Sequence, residues 1–132
     1  MTERVRVLVA DDHRAMLETL VRILSRHFDV VGAVTDGASA VAKVAELVPD
    51  LLVLDIAMPG LSGIAAARAV RSGGSTAKIV FVTNMQEREL VDGALALGDV
   101  GFVVKDRLVA DLLPAVRCVL AGEVFVSPTV RR

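Results

Sequence analysis

Five short runs along the chain, residues 5–10, 28–34, 51–54, 78–83 and 101–104, are rich in β-branched and aliphatic side chains and are bounded by Asp, Gly or Asn. Each reads as a strand. Most lack the polar alternation of a sheet with one wet face. Near-continuous apolarity is what strands covered on both faces need, and it predicts a parallel sheet between helical layers. The segments between them carry apolar residues at helical spacing: Leu17, Leu20, Val21 and Leu24; Val41, Val44, Ala45 and Val48; Leu90, Ala94 and Leu97; Leu112, Val116, Val119 and Leu120. A further helix within 63–71 rests on a stripe made mostly of alanine. Five βα repeats in one short chain imply a doubly wound, three-layer sandwich with right-handed crossovers. Pro114 interrupts the last helical pattern, which predicts a late start or a bend there. The stretch from Glu123 to Pro128 leaves the helical pattern altogether and reads as a tail.

Composition narrows the function. A chain of 132 residues is one domain, which excludes a multidomain enzyme within it. A formal charge of -1 gives it no electrostatic reason to coat nucleic acid or an anionic membrane. Hydrophobic residues make up 54% and mean hydropathy is +0.60, yet charges such as Asp50 and Asp55 interrupt every apolar run before the roughly 18 residues of a membrane span. Met1-Thr2-Glu3-Arg4 precedes an apolar stretch too short for a secretory leader. A lone Cys118 excludes a disulfide framework, so a cytoplasmic, membrane-free location is expected.

In an open parallel sheet each strand delivers its C-terminal residue to one edge, where ligands bind at the point of reversal in strand order. The strand ends here are Asp11-Asp12, Thr35-Asp36, Asp55, Thr83 and Lys105. Crowded carboxylates repel, and a hard divalent cation with oxygen ligands relieves them, Mg²⁺ being the usual choice. Lys105 adds a fixed positive charge and Thr83 a donor, which suit the extra oxygens of a phosphoryl group. The constellation reads as phosphoryl chemistry on a carboxylate, with Asp55 as nucleophile because it stands alone at the end of the central strand, before Met58-Pro59-Gly60. Taken singly, these residues have blander roles: Asp11 or Asp12 as a helix cap, Lys105 as a solvated charge, Thr83 as a strand-end residue. Asp36, before Gly37-Ala38, is expected only to cap a helix. His13 lacks a second His or Cys at ligand spacing and is not expected to bind metal, and His27 and Cys118 read as structural or exposed. No phosphate-loop, dinucleotide-binding or serine-hydrolase motif occurs.

The blocks VRVLVADDH, DLLVLDIAMPGLSG, KIVFVTN and GFVVKD, in this order and spacing, resemble the receiver domain of bacterial two-component response regulators. The resemblance covers essentially the whole chain. It implies an α/β, doubly wound, five-stranded parallel sheet in the flavodoxin-like order 2-1-3-4-5 with helices on both faces. It further implies that Asp55 is the phosphoacceptor, that Asp11, Asp12, Asp55 and the backbone carbonyl of Ala57 hold Mg²⁺, and that Thr83 and Lys105 contact the phosphoryl oxygens. Phe102 matches the aromatic switch position, expected to move inward as Thr83 shifts. A sensor histidine kinase is the implied donor, and a phosphorylation-dependent homodimer an implied assembly. The DDH start and the ending LLPAVRCVLAGEVFVSP look most like the class with a LuxR-type helix-turn-helix output domain. The receiver is expected over 1–122, with 123–132 a tail or the start of a linker, and the chain reads as excised from a longer protein rather than stand-alone. DNA binding belongs to that absent domain.

Some positions depart from the commoner pattern. Asp106 follows Lys105 where many receivers have Pro, so no cis peptide is expected there. Asn84 is bulkier than the usual Ala or Ser and could hinder access to Asp55. Ala57 and Met85 stand where side chains commonly tune an attacking water, and neither offers a useful hydrogen bond. Three other functions compete. A phosphorylation-independent interaction module of the same fold would keep the surface and lose the chemistry. A flavin carrier would need a phosphate loop where Asp11 and Asp12 stand. A Mg²⁺-dependent phosphatase would need an acid at Ala57.

Overall fold

The computed structural model of the chain describes residues 4–130. Residues 1–3, read above for a leader, and the last two residues of the expected tail lie outside this range. The elements alternate: β1 Arg6–Ala10, α1 Arg14–Ser25, β2 Asp29–Val34, α2 Gly37–Leu47, β3 Leu51–Leu54, α3 Gly63–Ser72, β4 Lys78–Thr83, α4 Arg88–Leu95, β5 Val100–Val104, a single 3₁₀ turn Lys105–Arg107, α5 Leu108–Leu120 and β6 Phe125–Val126.

All strand pairings are parallel, and the sheet order is β2-β1-β3-β4-β5-β6. The period of two along each strand divides the core into two layers. Leu8, Ala10, Leu52, Leu54, Ile79, Phe81 and Phe102 face α2, α3 and α4. Val7, Val9, Leu51, Val53, Val80, Val82 and Val103 face α1 and α5. β3 and β5 are buried along their whole length, whereas the edge strand β2 is only partly covered. That difference is why 28–34 carries Asp29 and Gly32 while 51–54 carries none but Leu and Val.

The alanine-rich segment does form a helix, because small side chains suit its position. Ala66 and Ala67 are fully buried, and α3 packs closely against α2. Its start is closer still: a β-carbon on Gly63 would collide with the carbonyl oxygen of Asp55. Ser62 caps the helix by accepting from the Ala65 N–H, and Asp36 caps α2 by accepting from Ser39.

The structure refines two expectations. α5 does not wait for Pro114 but begins at Leu108 and runs through it. Pro114 lies on the exposed face, and the carbonyl it deprives of a donor, that of Ala110, belongs to another exposed residue, where water can replace the lost bond. The sheet also has a sixth strand. Phe125 and Val126 pair with Gly101 and Phe102, Ser127 donates its N–H to the Phe102 carbonyl at 2.9 Å, and Val130 is buried in the α4 side of the core. Residues 125–130 therefore pack on the sheet.

Candidate functional site

β1 connects through α1 to a strand on one side, and β3 lies on its other side. The crevice beyond the C-terminal ends of β1 and β3 is therefore the switch point of the sheet. Asp11 follows β1, Asp55 follows β3, Thr83 ends β4, and Lys105 follows β5. Backbone bonds fix the first two: the Asp55 N–H donates to the Ala10 carbonyl at 3.0 Å, and the Asp11 N–H to the Val34 carbonyl at 3.1 Å.

Asp11 and Thr83 are fully buried and Asp55 is 3% exposed. The Lys105 ammonium lies between the acids, 3.0 Å from Asp11 Oδ2 and 3.2 Å from Asp55 Oδ2. Asp11 Oδ1 accepts the His13 N–H at 2.9 Å, and Asp55 Oδ1 accepts the Ala57 N–H at 3.3 Å. Asp12 sits nearer the surface. Its Oδ1 is nevertheless enclosed without a hydrogen-bond partner, as is Asp11 Oδ2, whose contact with Lys105 is an ion pair outside hydrogen-bond geometry.

Burial raises the Asp55 pKa above the usual carboxylate range. Lys105 opposes this and the negative charge of Asp11 adds to it. For Lys105, burial works against the ammonium, but the attraction of Asp11 and Asp55 outweighs it, so its pKa is raised. One cation facing two buried carboxylates leaves the crevice short of positive charge.

The structure thus brings Asp11, Asp12, Asp55 and Lys105 together. Thr83 is placed alongside, its Cα paired in register with Val104, the residue before Lys105. Its hydroxyl accepts the Met85 N–H at 3.1 Å, which leaves the hydroxyl proton to be donated. Asn84 is exposed and Met85 partly buried. Asp36 is engaged in its cap. The peptide bonds, Lys105–Asp106 included, are trans among the described residues.

His13 lies beside the acidic cluster. Its Nδ1 is 3.2 Å from Asp12 Oδ1, and it can offer a ligand atom together with Asp11, Asp12 and Asp55, all within 4.8 Å of one another. Ligand-spacing rules look for a second His or Cys, so they pass over a histidine whose neighbours are carboxylates, two beside it in the chain and one, Asp55, at the end of another strand. The Phe102 ring is fully enclosed against the α4 side of the core in this structure.

Fold and site together define a doubly wound α/β domain that gathers carboxylates and one partly buried lysine at its switch point. The response regulator receiver domain family matches residues 7–117, and the chain belongs to it. It is 36% identical over 130 residues to NarL of Mycobacterium tuberculosis, covering 97% of this chain and 60% of that protein. The solved receiver domain of NarL from the same organism superposes with a TM-score of 0.82 at 37% identity, covering 90% of this chain and 98% of that one. A LuxR-family two-component response regulator from Aurantimonas sp. SI85-9A1 superposes with a TM-score of 0.87 at 29% identity, over 96% of this chain and 91% of that one. The protein is thus a receiver domain of the two-component type, a signalling module with LuxR-family relatives. It spans about 60% of the length of the curated NarL protein it matches.

No described helix is long and apolar enough to cross a membrane.

Proposed function

We propose that Asp55 accepts a phosphoryl group from a phosphorylated histidine of a sensor kinase and that the domain promotes this transfer itself. The observation that carries the reading is the buried Asp11–Lys105–Asp55 arrangement, in which one fixed cation touches the acceptor at 3.2 Å. A carboxylate oxygen of Asp55 attacks phosphorus, the phosphorus–nitrogen bond breaks, and the leaving imidazole nitrogen takes up a proton. Lys105 is placed to neutralise charge on the transferred oxygens, and Thr83 to donate its hydroxyl proton to one of them.

The donor set fits Mg²⁺. Carboxylates are hard oxygen ligands, and two of their enclosed oxygens have no hydrogen-bond partner. Asp11, Asp12, Asp55 and the Ala57 carbonyl would hold the ion. When bound, it would supply the positive charge that lets an anionic donor approach three acids.

The signal leaves as a population shift between two packings, beginning at Thr83. Phe102, at the aromatic switch position and packed on the α4 side of the core, would follow the shift of Thr83 by moving inward. By likeness to the LuxR-family proteins, the whole protein would act in the cytoplasm on DNA through an output domain that this chain does not include, and as a phosphorylation-dependent homodimer.

Intact-mass measurement after incubation with Mg²⁺ and a small acyl phosphate tests the reading. One phosphoryl group should add per chain, and none to Asp55→Asn. Addition to that variant at Asp11 or Asp12 would reassign the roles. No addition to the unsubstituted chain would favour a phosphorylation-independent interaction module.

A further inference from the structure

Among the described residues, five polar or charged side chains are buried, and the two that lie outside the acidic crevice are Asp111 and Ser127, at 4% and 1% exposure. They are bonded to each other, Ser127 Oγ donating to Asp111 Oδ2 at 2.8 Å. The same hydroxyl accepts the N–H of Val104 at 3.1 Å. Asp111 in turn holds the Arg107 guanidinium with both oxygens, at 2.7 Å to Nε and 3.1 Å to Nη2. Val104 is the last residue of β5, and Arg107 closes the 3₁₀ turn that follows. Lys105 lies between these two anchors.

Lysine has a long flexible side chain, so two short contacts to buried carboxylates require its backbone to be fixed. β4 pairs with β5 as far as Val104 and no further. Beyond it, the chain is held by Ser127, which comes from the segment after Gly122, and by Arg107 through Asp111. Ser127 is itself held in place, because its N–H bonds to Phe102 and the adjoining Val126 pairs with β5.

We propose that the Ser127–Asp111–Arg107 network positions Lys105 for the phosphoryl group, so that docking of residues 125–130 on the sheet and occupancy of the phosphoryl site favour each other. This rests on the phosphoryl reading of the site. These are positioning residues, since each acts through the backbone that carries Lys105. Linkage makes the effect reciprocal: whatever affinity the site gains from a docked segment, the segment gains in docking from a filled site.

The test uses the full chain with Mg²⁺ and beryllofluoride, an acyl-phosphate mimic. Ser127→Ala removes the acceptor of the Val104 N–H and should weaken beryllofluoride binding about 5-fold or more. Ser127→Thr keeps the hydroxyl and should restore much of that loss. Leu24→Ala, which destabilises the opposite end of the α1 layer, controls for stability and should leave the affinity unchanged. In the unsubstituted chain, beryllofluoride should slow hydrogen exchange at the amides of Val104 and Ser127. Equal affinity for Ser127→Ala and the unsubstituted chain, or exchange at both amides unaltered by a saturating ligand, overturns the coupling while leaving the phosphoryl reading intact. Failure of the unsubstituted chain to bind beryllofluoride overturns both.

Discussion

Replacing Lys105 by Met removes the one lysine or arginine that, among the described residues, lies within ion-pair distance of two carboxylates that are 0% and 3% exposed. At an effective dielectric of about 20, each of the two contacts corresponds to roughly 5 kcal/mol of attraction. Dehydration of the three groups offsets most of it. The net effect follows from what is left behind, because stripping a buried charge of its partner costs about 3–5 kcal/mol. Protonation of one of the two stranded acids relieves part of that cost, so the loss should lie near the lower end, about 3 kcal/mol at pH 7, and shrink as pH falls. Two companions sharpen the expectation. Asp55→Asn in the Lys105→Met background removes one stranded charge and should recover a substantial part of the loss, with a coupling of about 1–3 kcal/mol in the double-mutant cycle. Saturating Mg²⁺ should stabilise Lys105→Met more than the unsubstituted chain, since the ammonium and the cation compete for the same oxygens. Urea denaturation of the four proteins, with and without Mg²⁺, measures all of this. A Lys105→Met chain within about 0.5 kcal/mol of the parent would refute the reasoning, because that is the range of surface substitutions. So would a loss that Asp55→Asn fails to reduce.

Stability should also depend on pH in two opposite ways. Asp55, its pKa raised chiefly by burial, binds its proton more tightly in the folded state, so its contribution favours the fold below the ordinary carboxylate range and is lost as pH climbs through the raised value. Asp111, its pKa lowered first by the Arg107 hydrogen bond, contributes above that range and loses its contribution as pH falls. Denaturation midpoints against pH for Asp55→Asn and Asp111→Asn should each lack one limb; unchanged profiles would contradict these assignments. Val48, 71% exposed with φ 48°, holds a β-branched residue in left-handed backbone at the end of α2, and Val48→Asn should raise stability by about 1 kcal/mol. The phosphorylated form should be long-lived, because Ala57 and Met85 offer nothing to align an attacking water; Ala57→Asn and Met85→Gln should decay faster in a time course at fixed Mg²⁺, and equal decay would reject that explanation.

The strands were readable because burial on both faces leaves no room for a polar residue. Residues 51–54 and 78–83 match β3 and β4 to the residue, and the errors elsewhere are single residues at the ends of β1, β2 and β5. The strand-end acids and Lys105 were readable because the βα period places each at the same edge of the sheet. β6 was not, since a two-residue strand has no period, although the run Val124-Phe125-Val126 between Gly122 and Pro128 carries a β-branched signal. Asp111 reads as an ordinary first-turn acid, and only its spacing of four from Arg107 hints at an ion pair. Its second partner, Ser127, lies 16 positions on and has no local signature. Pro114 misled because sequence shows that a helical bond is lost and not that water can replace it.

β6 has a consequence for how the chain comes together. Without it, β5 would be the outermost strand of the sheet, and its sequence Val-Gly-Phe-Val-Val carries no charge and no proline. Such an edge is an open template for another chain. Two residues at the far end of the chain close part of it, pairing with Gly101 and Phe102, while Ser127 caps the Val104 N–H beyond them. During synthesis this cover emerges after the five longer strands and the five α-helices described above. A chain cut after Gly122 would keep all the acids and Lys105 yet expose that edge, so self-association rather than lost chemistry is the first fault to look for in such a fragment.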